Sequence, residues 1–282
     1  MIFQRAYLED RFISSGSRKL NYRNQRLNFL NRQIAFLMTH KTKGIVLRTI
    51  KYGETSLVVT IYTELFGVQV YMVNGARSNK KTGNKAAMFQ PAAILDLEVY
   101  HNDQKSMQRI KECSWAFLYQ NILSDVIKNS IALYMVELLQ KTLKQPESNS
   151  DLFYFCEDAL LQLDKAEKNI AANFALFFSL HLADFFGFKI SNNASSNDDI
   201  YLDLEEGEFV LQQPVHPNFI HGQQALITAE LLRTRLPAEL EQLKLNKQTR
   251  RELLLKYQDY YALHIHDFGK MKTLPVLHEV LS

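Results

Sequence analysis

A run of basic residues without an intervening acid is the most chemically suggestive feature of this sequence. Arg77, Lys80, Lys81 and Lys85 fall within the segment NGARSNKKTGNK, which contains neither Asp nor Glu. Neighbouring cations repel one another unless an anion lies among them, and Lys and Arg supply most of the affinity of proteins for phosphate backbones. The segment therefore predicts a loop that binds a polyanion.

Basic and aromatic residues on the neighbouring predicted strands extend this candidate surface. Arg109 and Lys111 alternate with Ile110, so we expect their side chains on the same outer face of a strand. Tyrosine rings offer a stacking platform for bases, although the same residues are also common in barrel cores. The candidate cations are Lys41, Lys43, Arg48, Lys51, Arg77, Lys80, Lys81, Lys85, Arg109 and Lys111, and the candidate stacking residues are Tyr52, Tyr62 and Tyr71.

Two groups of residues have the composition of metal-ligand pairs. His264, His266 and Asp267 form an HxHD cluster, and His181 and Asp184 are spaced by one helical turn. Zinc sites need three or four protein ligands, and no compact third and fourth ligand accompanies either group. We therefore predict no metal ion and no cofactor.

Nucleophilic and nucleotide-dependent chemistry has equally little support. Cys113 falls on a predicted strand and Cys156 in the apolar stretch LFYFCEDAL, where both are expected to pack. GARSNKKTG lacks the spacing and the trailing GK[ST] of a phosphate-binding P-loop. The sequence predicts a protein without catalytic residues, and two distant cysteines favour the reducing cytosol.

The charge of the chain is unevenly distributed. Its 282 residues include 33 Lys or Arg and 30 Asp or Glu, a net charge of +3. Residues 1–37 and 38–118 each carry a net +5, whereas residues 119–282 carry −7. A basic front is typical of a surface for polyanions, and the acidic remainder indicates a separate task.

The chain contains no predicted membrane span. Its most apolar stretch, 170–186, is interrupted by Asn173, Ser179, His181 and Asp184, which favours a buried helix. Residues 1–37 are polar and loosely periodic. They predict a disordered extension or an upstream start artefact, with a basic DNA-binding arm as the alternative.

Residues 41–115 have the pattern of a small β-barrel. Short stretches rich in β-branched and aromatic residues are separated by turn sequences such as KYGET and ELFG. Five short strands with one long loop predict a barrel of the OB type, with an SH3-like barrel as the alternative. The predicted strands are 42–50, 56–63, 68–73, 92–100 and 107–113.

Residues 119–282 have the periodicity of helices. Ser124 or Asp125 and Ser150 are candidate N-caps, and Gly187 is a candidate C-terminal residue after the apolar helix. The predicted helices are about 124–144, 150–163, 169–186, 223–235 and 247–264, with a hairpin insert at about 198–212. The expected fold class is thus α+β: an N-terminal OB-like five-stranded barrel packed on a C-terminal all-helical domain.

Three ordered segments of the chain resemble the RecO family. KTKGIVLRTIKYGETSLVVTIYTELFGVQVYMVNGARS is similar to that family's first barrel strands and basic loop, and DIYLDLEEGEFV is similar to its hairpin insert. YYALHIHDFGKMKTLPVL resembles its closing segment. Many members also carry paired cysteines that bind zinc beside the hairpin. The corresponding segment here contains none, so we expect packing alone to hold it, without zinc.

The resemblance implies a non-catalytic mediator of DNA repair and homologous recombination. Such a protein binds single- and double-stranded DNA, anneals complementary strands, and with RecR helps load RecA onto DNA coated by the single-stranded-DNA-binding protein. The helical domain would bind that protein's acidic C-terminal tail in an apolar groove rimmed by cations. The candidate tail-binding residues are Arg233, Arg250 and Arg251.

Two other functions remain open at this point. The barrel could be an RNA-binding OB module joined to a protein-interaction domain, or a scaffold that contacts a protein partner. Preference for structured RNA, or weak DNA binding that is insensitive to the loop cations, would favour these alternatives. For the recombination function, we expect a cytoplasmic, nucleoid-associated protein.

Overall fold

The computed structural model describes residues 39–77, 85–145, 147–194 and 200–281. Five strands form a closed barrel in the order β1-β2-β3-β5-β4, in which β3 and β5 are parallel and the other pairs antiparallel. This arrangement confirms the predicted OB-like barrel followed by helices. The strands are β1 (Thr39–Tyr52), β2 (Ser56–Thr63), β3 (Gly67–Val73), β4 (Ile94–Tyr100) and β5 (Gln108–Trp115).

Alternation along the strands fills the barrel. The inward positions of β2 are Leu57, Val59 and Ile61, all buried in the barrel core. Strand β1 pairs with β2 and with β4, and its residue Gly44 faces a partner on each. A Cβ atom on Gly44 would lie 2.5 Å from Ile61 and 2.8 Å from Leu97, so the close approach of the strands there requires glycine.

The described residues of the C-terminal part form six α-helices. Polar side chains cap three of them: Asp125 caps the first, Asn149 the second and Asn246 the fifth. Asn149 therefore replaces the predicted cap Ser150, which is itself helical. The helices are α1 (Val126–Thr142), α2 (Ser150–Lys165), α3 (Lys168–Ala183), α4 (Gln223–Arg233), α5 (Lys247–His264) and α6 (Thr273–Val280).

Helix α3 is the centre of the helical domain. It contacts α1, α2, α4 and α5, and most of its side chains are buried. A short 3₁₀ turn follows, and Gly187 ends it in the left-handed conformation at φ 81°. Together, residues Lys168–Phe186 are long and apolar enough to cross a membrane, but 61% of the stretch is buried, as in the core helix of a folded domain.

A small three-stranded sheet stands at the predicted insert. It has the order β7-β6-β8, with β6 (Tyr201–Asp203), β7 (Glu208–Val210) and β8 (Phe219–His221). The hairpin β6-β7 was predicted, whereas β8 was not. The expectation that packing alone holds this segment is wrong, because hydrogen bonds also fix it. Asn193 exchanges two of these with the Phe209 backbone, at 3.0 and 3.2 Å, and His216 bonds Asp203 at 3.1 Å.

The barrel and the helical domain share one apolar junction. Ile45, Leu47 and Tyr62, on the outer side of the barrel, belong to the same buried cluster as the helices. The Tyr62 hydroxyl donates to the Asn149 carbonyl at 2.9 Å, and its ring packs 5.7 Å from that of Phe153. One end of the outer barrel surface is therefore covered by α2.

A buried carboxylate fixes the segment that connects the two domains. Asp164, near the end of α2, is 1% exposed and accepts hydrogen bonds from three consecutive backbone amides at 2.8–2.9 Å. The donors are Gln120, Asn121 and Ile122. The Lys128 ammonium donates to the Asp164 carbonyl at 2.8 Å. Because three amides and a nearby cation satisfy this carboxylate, it can remain ionised although it is buried.

Replacing Asp164 with Asn should destabilise the protein markedly at neutral pH. An amide side chain cannot accept all three bonds, and a buried donor without a partner costs about 1–3 kcal/mol. We expect the free energy of unfolding to fall by about 2–4 kcal/mol in urea titrations. The control, Asp158→Asn, changes an exposed position of the same helix and should have an effect below about 0.5 kcal/mol. Equal loss in both variants would contradict the role assigned to Asp164.

The contribution of Asp164 should also depend on pH. Burial alone would raise its pKa, but the backbone hydrogen bonds from Gln120, Ile122 and Asn121 outweigh burial, and the net pKa is lowered. A carboxylate with a lowered folded-state pKa stabilises above its unfolded pKa, about 3.9, and loses this effect as pH falls through the folded value. The difference in unfolding free energy between wild type and Asp164→Asn should thus be full at pH 7 and shrink below about pH 4.

Candidate nucleic-acid interface

Part of the outer barrel surface is not covered by the helices. Beyond the buried row that contains Ile45 and Tyr62, successive outward positions of β1, β2 and β3 face solvent, because their inward neighbours fill the core. We call this surface the open face. It consists of Arg48, Ile50, Tyr52, Val58, Thr60, Val70, Met72 and Arg109.

The register of the strands places these residues in rows. Ile50 pairs with Val58, Val58 with Met72, and Met72 with Arg109 of β5. The next row towards the helices joins Arg48 to Thr60 and Val70, after a β-bulge between Val46 and Arg48. The open face thus presents two arginines separated by partly exposed aliphatic side chains.

More cations lie at the end of the open face away from the helices. The Arg77 guanidinium donates to the Gly53 carbonyl at 3.4 Å, and the Arg77 backbone amide donates to the Thr55 carbonyl at 3.0 Å. The loop after β3 therefore contacts the β1–β2 turn. Lys51 and Lys85 are exposed. Lys80 and Lys81 lie outside the described residues, and the DNA-binding role predicted for them stays a prediction.

The open face differs in charge from the opposite side of the barrel. No open-face position is acidic, and within the described part of the chain Arg48 and Arg109 form no ion pair. On the opposite side, Lys41 lies opposite Glu98 on the neighbouring strand, and Lys43 lies opposite Asp96. That side is therefore balanced by carboxylates and has less attraction for a polyanion.

Two lysines predicted to bind DNA are held in ion pairs. The Lys43 ammonium lies 2.8 Å from the Glu157 carboxylate of α2, and this hydrogen bond raises the pKa of Lys43. Lys111 lies 2.8 Å from Glu98, and hydrogen bonds from Lys111 and Thr39 lower the pKa of Glu98. We therefore remove Lys43 and Lys111 from the candidate interface. Lys43 instead helps to join the barrel to α2.

Burial decides among the three candidate stacking tyrosines. Tyr71 is 0% exposed inside the barrel core, and Tyr62 is equally buried under α2, so the stacking roles predicted for both are wrong. Burial raises the pKa of each hydroxyl. Tyr52 is 59% exposed at the end of the open face and remains available for stacking.

The aliphatic residues between the arginines were missed in the sequence. Ile50 is 45% exposed, and Val58 and Met72 are partly exposed beside it. The period of two in β1 places Ile50 on the same face as Arg48 and Tyr52, and this pattern could have indicated that Ile50 belongs to the surface. The side-by-side position of Met72 and Arg109 could not be found this way, since it depends on the parallel pairing of β3 with β5.

A second candidate site lies between α5 and α6. Two adjoining cavities of about 360 and 100 Å³ share Arg251 and His278. We call them together the α5–α6 groove. Its apolar lining residues are Leu254, Leu255, Met271, Leu274, Pro275 and Leu281, and its basic lining residues include Lys247, Arg250, Arg251 and Lys270. One carboxylate, Glu279, is part of the described lining.

The predicted tail-binding arginines separate into two places. Arg250 and Arg251 both line the groove, whereas Arg233 lies at the end of α4, where its guanidinium donates to the Ala194 carbonyl at 3.3 Å. The Arg250 guanidinium donates to the Leu245 carbonyl at 2.6 Å, and burial lowers its pKa. Helix α6, which forms one wall of the groove, was not predicted.

The possible metal ligands His264, His266 and Asp267 make other contacts in the structure. The His264 Nε2 donates to the Leu204 carbonyl at 2.9 Å, and its ring stacks on Phe188. His266 contacts Asp267 at the surface, 2.9 Å away. Across the described ranges, no three His, Cys, Asp or Glu side chains come together to hold a metal ion.

Comparisons with known proteins identify the same family along most of the chain. Residues 38–119 match the family described as Recombination protein O N terminal, and residues 123–274 match Recombination protein O C terminal. The chain is 32% identical over 245 residues to the DNA repair protein RecO of Azobacteroides pseudotrichonymphae, covering 87% of this chain and 100% of that protein. It is 34% identical over 253 residues to that of Flavobacterium psychrophilum, with the same coverage.

The open face predicts which cations control binding to an oligonucleotide. In Arg48→Ala/Arg109→Ala, the slope of log affinity against log salt for oligothymidylate should flatten by about 1.4, since each lost contact to single-stranded DNA removes about 0.7. The matched control Lys43→Ala/Lys111→Ala removes the same charge from ion-paired positions and should leave the slope nearly unchanged. Fluorescence anisotropy at several salt concentrations measures both. An equal loss in the two variants would show that net charge, not the open face, governs binding.

Proposed function

The chain belongs to the RecO family of DNA repair and recombination proteins, and from that premise we propose that it binds single- and double-stranded DNA and anneals complementary strands. The observation that carries this proposal is the open face. It combines two arginines that form no ion pair with other described residues, an exposed tyrosine and aliphatic side chains, and none of its own residues is acidic. Those are the components of a surface that binds nucleic-acid strands without reading their sequence.

Annealing by such a surface needs charge and exposure of bases, but no covalent step. Two DNA strands repel each other through their phosphates, and cations placed between them reduce that repulsion. Bases that are partly unstacked on Tyr52 and its aliphatic neighbours stay accessible to a complementary strand. We therefore propose a mediator without a catalytic residue or a cofactor.

The α5–α6 groove supports a second part of the proposal. An acidic peptide that ends in apolar residues needs an apolar floor and a basic rim, and the groove offers both. We propose that it binds the C-terminal tail of the single-stranded-DNA-binding protein, with Arg251 and Arg250 at the rim. Tail binding and DNA binding on one chain would raise the local concentration of coated DNA at the open face.

The remaining part of the proposal concerns RecR and RecA. With RecR, the chain would help RecA replace the single-stranded-DNA-binding protein on DNA. These reactions take place on chromosomal DNA, so we propose a cytoplasmic, nucleoid-associated location. A clear preference for structured RNA over single-stranded DNA in competition would instead favour the RNA-binding alternative.

Annealing of coated strands is the direct test of this function. Complementary oligonucleotides covered with the single-stranded-DNA-binding protein should anneal several times faster with the purified chain than without it, as followed by fluorescence energy transfer. Arg48→Ala/Arg109→Ala should lose most of this acceleration, whereas Lys43→Ala/Lys111→Ala should retain it. No acceleration by the wild-type chain would refute the proposed annealing.

The groove makes a separate prediction for tail binding. Arg251→Glu should weaken binding of a labelled tail peptide by about tenfold or more, because a like charge at an interface costs several kcal/mol. Arg233→Glu makes the same charge change outside the groove and should bind the peptide like wild type. Affinity for oligothymidylate should be similar in both variants. If Arg233→Glu weakens peptide binding as much as Arg251→Glu, the tail does not bind in the groove.

A further inference from the structure

The turn between β4 and β5 contains a cavity whose lining, apart from Arg109, takes no part in the contacts proposed above. It has a volume of about 270 Å³ and is smaller than the range of about 300–1,000 Å³ that is typical of sites for drug-sized ligands. We call it the turn pocket. Its lining residues are Tyr100, His101, Asn102, Lys105, Met107, Gln108 and Arg109.

The wall of the turn pocket is fixed before any ligand binds. Gln108 is 3% exposed, and its amide group makes three hydrogen bonds within the turn. Its Oε1 accepts from the Asn102 amide at 3.1 Å, and its Nε2 donates to the carbonyls of Asn102 and Lys105 at 2.9 and 2.8 Å. A ligand therefore finds a preformed site and does not have to order the turn on binding.

The turn pocket continues the open face across the barrel. Arg109, which lines the pocket, pairs with Met72 of the open face on one side and with Tyr100 on the other. The row from Ile50 through Val58 and Met72 thus leads directly to the pocket. A strand bound along this row would reach Arg109, which also lines the pocket.

The chemistry of the lining selects an anion with a flat, largely apolar part. The pocket has an aromatic ring from Tyr100 and a thioether from Met107, and no carboxylate is among its lining residues. Arg109 is exposed beside them and forms no ion pair within the described ranges. The His101 imidazole, also in the lining, stacks on Phe66 and contacts the Asp103 carboxylate at 2.7 Å. A neighbouring cavity shares His101, but it is lined by Asp103 and Glu147, which disfavour a phosphate.

We propose that the turn pocket accepts one unstacked base from a single DNA strand, with an adjacent phosphate at Arg109. This inference rests on the proposed DNA binding and deepens it. A base held in the pocket is removed from the stack of its own strand. Because a paired base in a duplex cannot enter without being flipped out, the pocket gives single strands an advantage over duplexes.

Methionine methyl groups can show whether a base enters the pocket. Of the chain's 7 methionines, Met107 lines the pocket, Met72 lies on the open face, and Met135 and Met271 are buried in the helical domain. In ¹³C-methyl spectra of the full chain, short oligothymidylate should shift Met107, whereas an abasic deoxyribose-phosphate strand of equal length should not. Met135 and Met271 should stay unchanged. A Met107 signal that does not move while Met72 does would overturn the proposal.

Affinities provide an independent test that separates the pocket from Tyr52. In a Tyr52→Ala background, oligothymidylate should still bind at least about fivefold more tightly than the abasic strand, since stacking of one base contributes about 1–3 kcal/mol. Adding Met107→Glu should reduce the ratio of the two affinities below about twofold. Because the added carboxylate repels the phosphates of both strands, its effect on charge does not change this ratio.

The two proposals fail in different ways in this experiment. A wild-type chain that binds neither strand would reject DNA binding as a whole, and the pocket with it. A wild-type chain that binds both strands equally would leave DNA binding standing and reject the pocket. Loss of the base preference in Tyr52→Ala alone would place base binding at Tyr52 and also reject the pocket.

Discussion

The contact between the barrel and α2 determines what the rest of the molecule can do. Every strand of a closed barrel has outward positions, and each of them must be covered or solvated. Tyr62 and its neighbours are covered by α2, and Asp164 of the same helix binds the amides of the connecting segment. The remaining outer rows of β1, β2 and β3 are left to solvent, and those rows form the open face.

The same junction sorts the basic residues of the barrel into two groups. Lys43 reaches α2 and pairs with Glu157, and Lys111 pairs with Glu98 on the same side of the barrel. Arg48 lies opposite Thr60 and Arg109 lies beside Met72, and neither arginine forms an ion pair with another described residue. Since a cation paired with a carboxylate attracts a phosphate weakly, the uneven charge of the sequence becomes a directional surface through this sorting.

Two sets of contacts hold the outer parts of the helical domain in place. The hairpin region is held by a third strand and by hydrogen bonds from Asn193 and His216. Glu137 of α1 binds the backbone of Lys272 and Thr273 at the start of α6, at 2.8 and 2.7 Å. This fixes α6 beside α5, and the groove between them gives an otherwise acidic domain a basic, apolar site.

The sequence by itself determined the fold class and most of the elements, because periodicity, turns and caps act over a few residues. It did not predict β8 or α6. The strand pattern predicted an OB-like barrel, the apolar run predicted the central helix, and Gly187 predicted its end. The charge asymmetry correctly located the basic residues in the barrel part, but it could not say which of them are free.

Only the tertiary structure decided which candidate residues can meet a ligand. Tyr52 and Tyr71 look equivalent in sequence, yet one is exposed and the other lies in the barrel core, because a β-bulge and the strand register set the side each residue faces. Lys43 is paired with a carboxylate 114 residues away. Contacts between positions so distant in the chain arise from packing, which local sequence patterns do not encode.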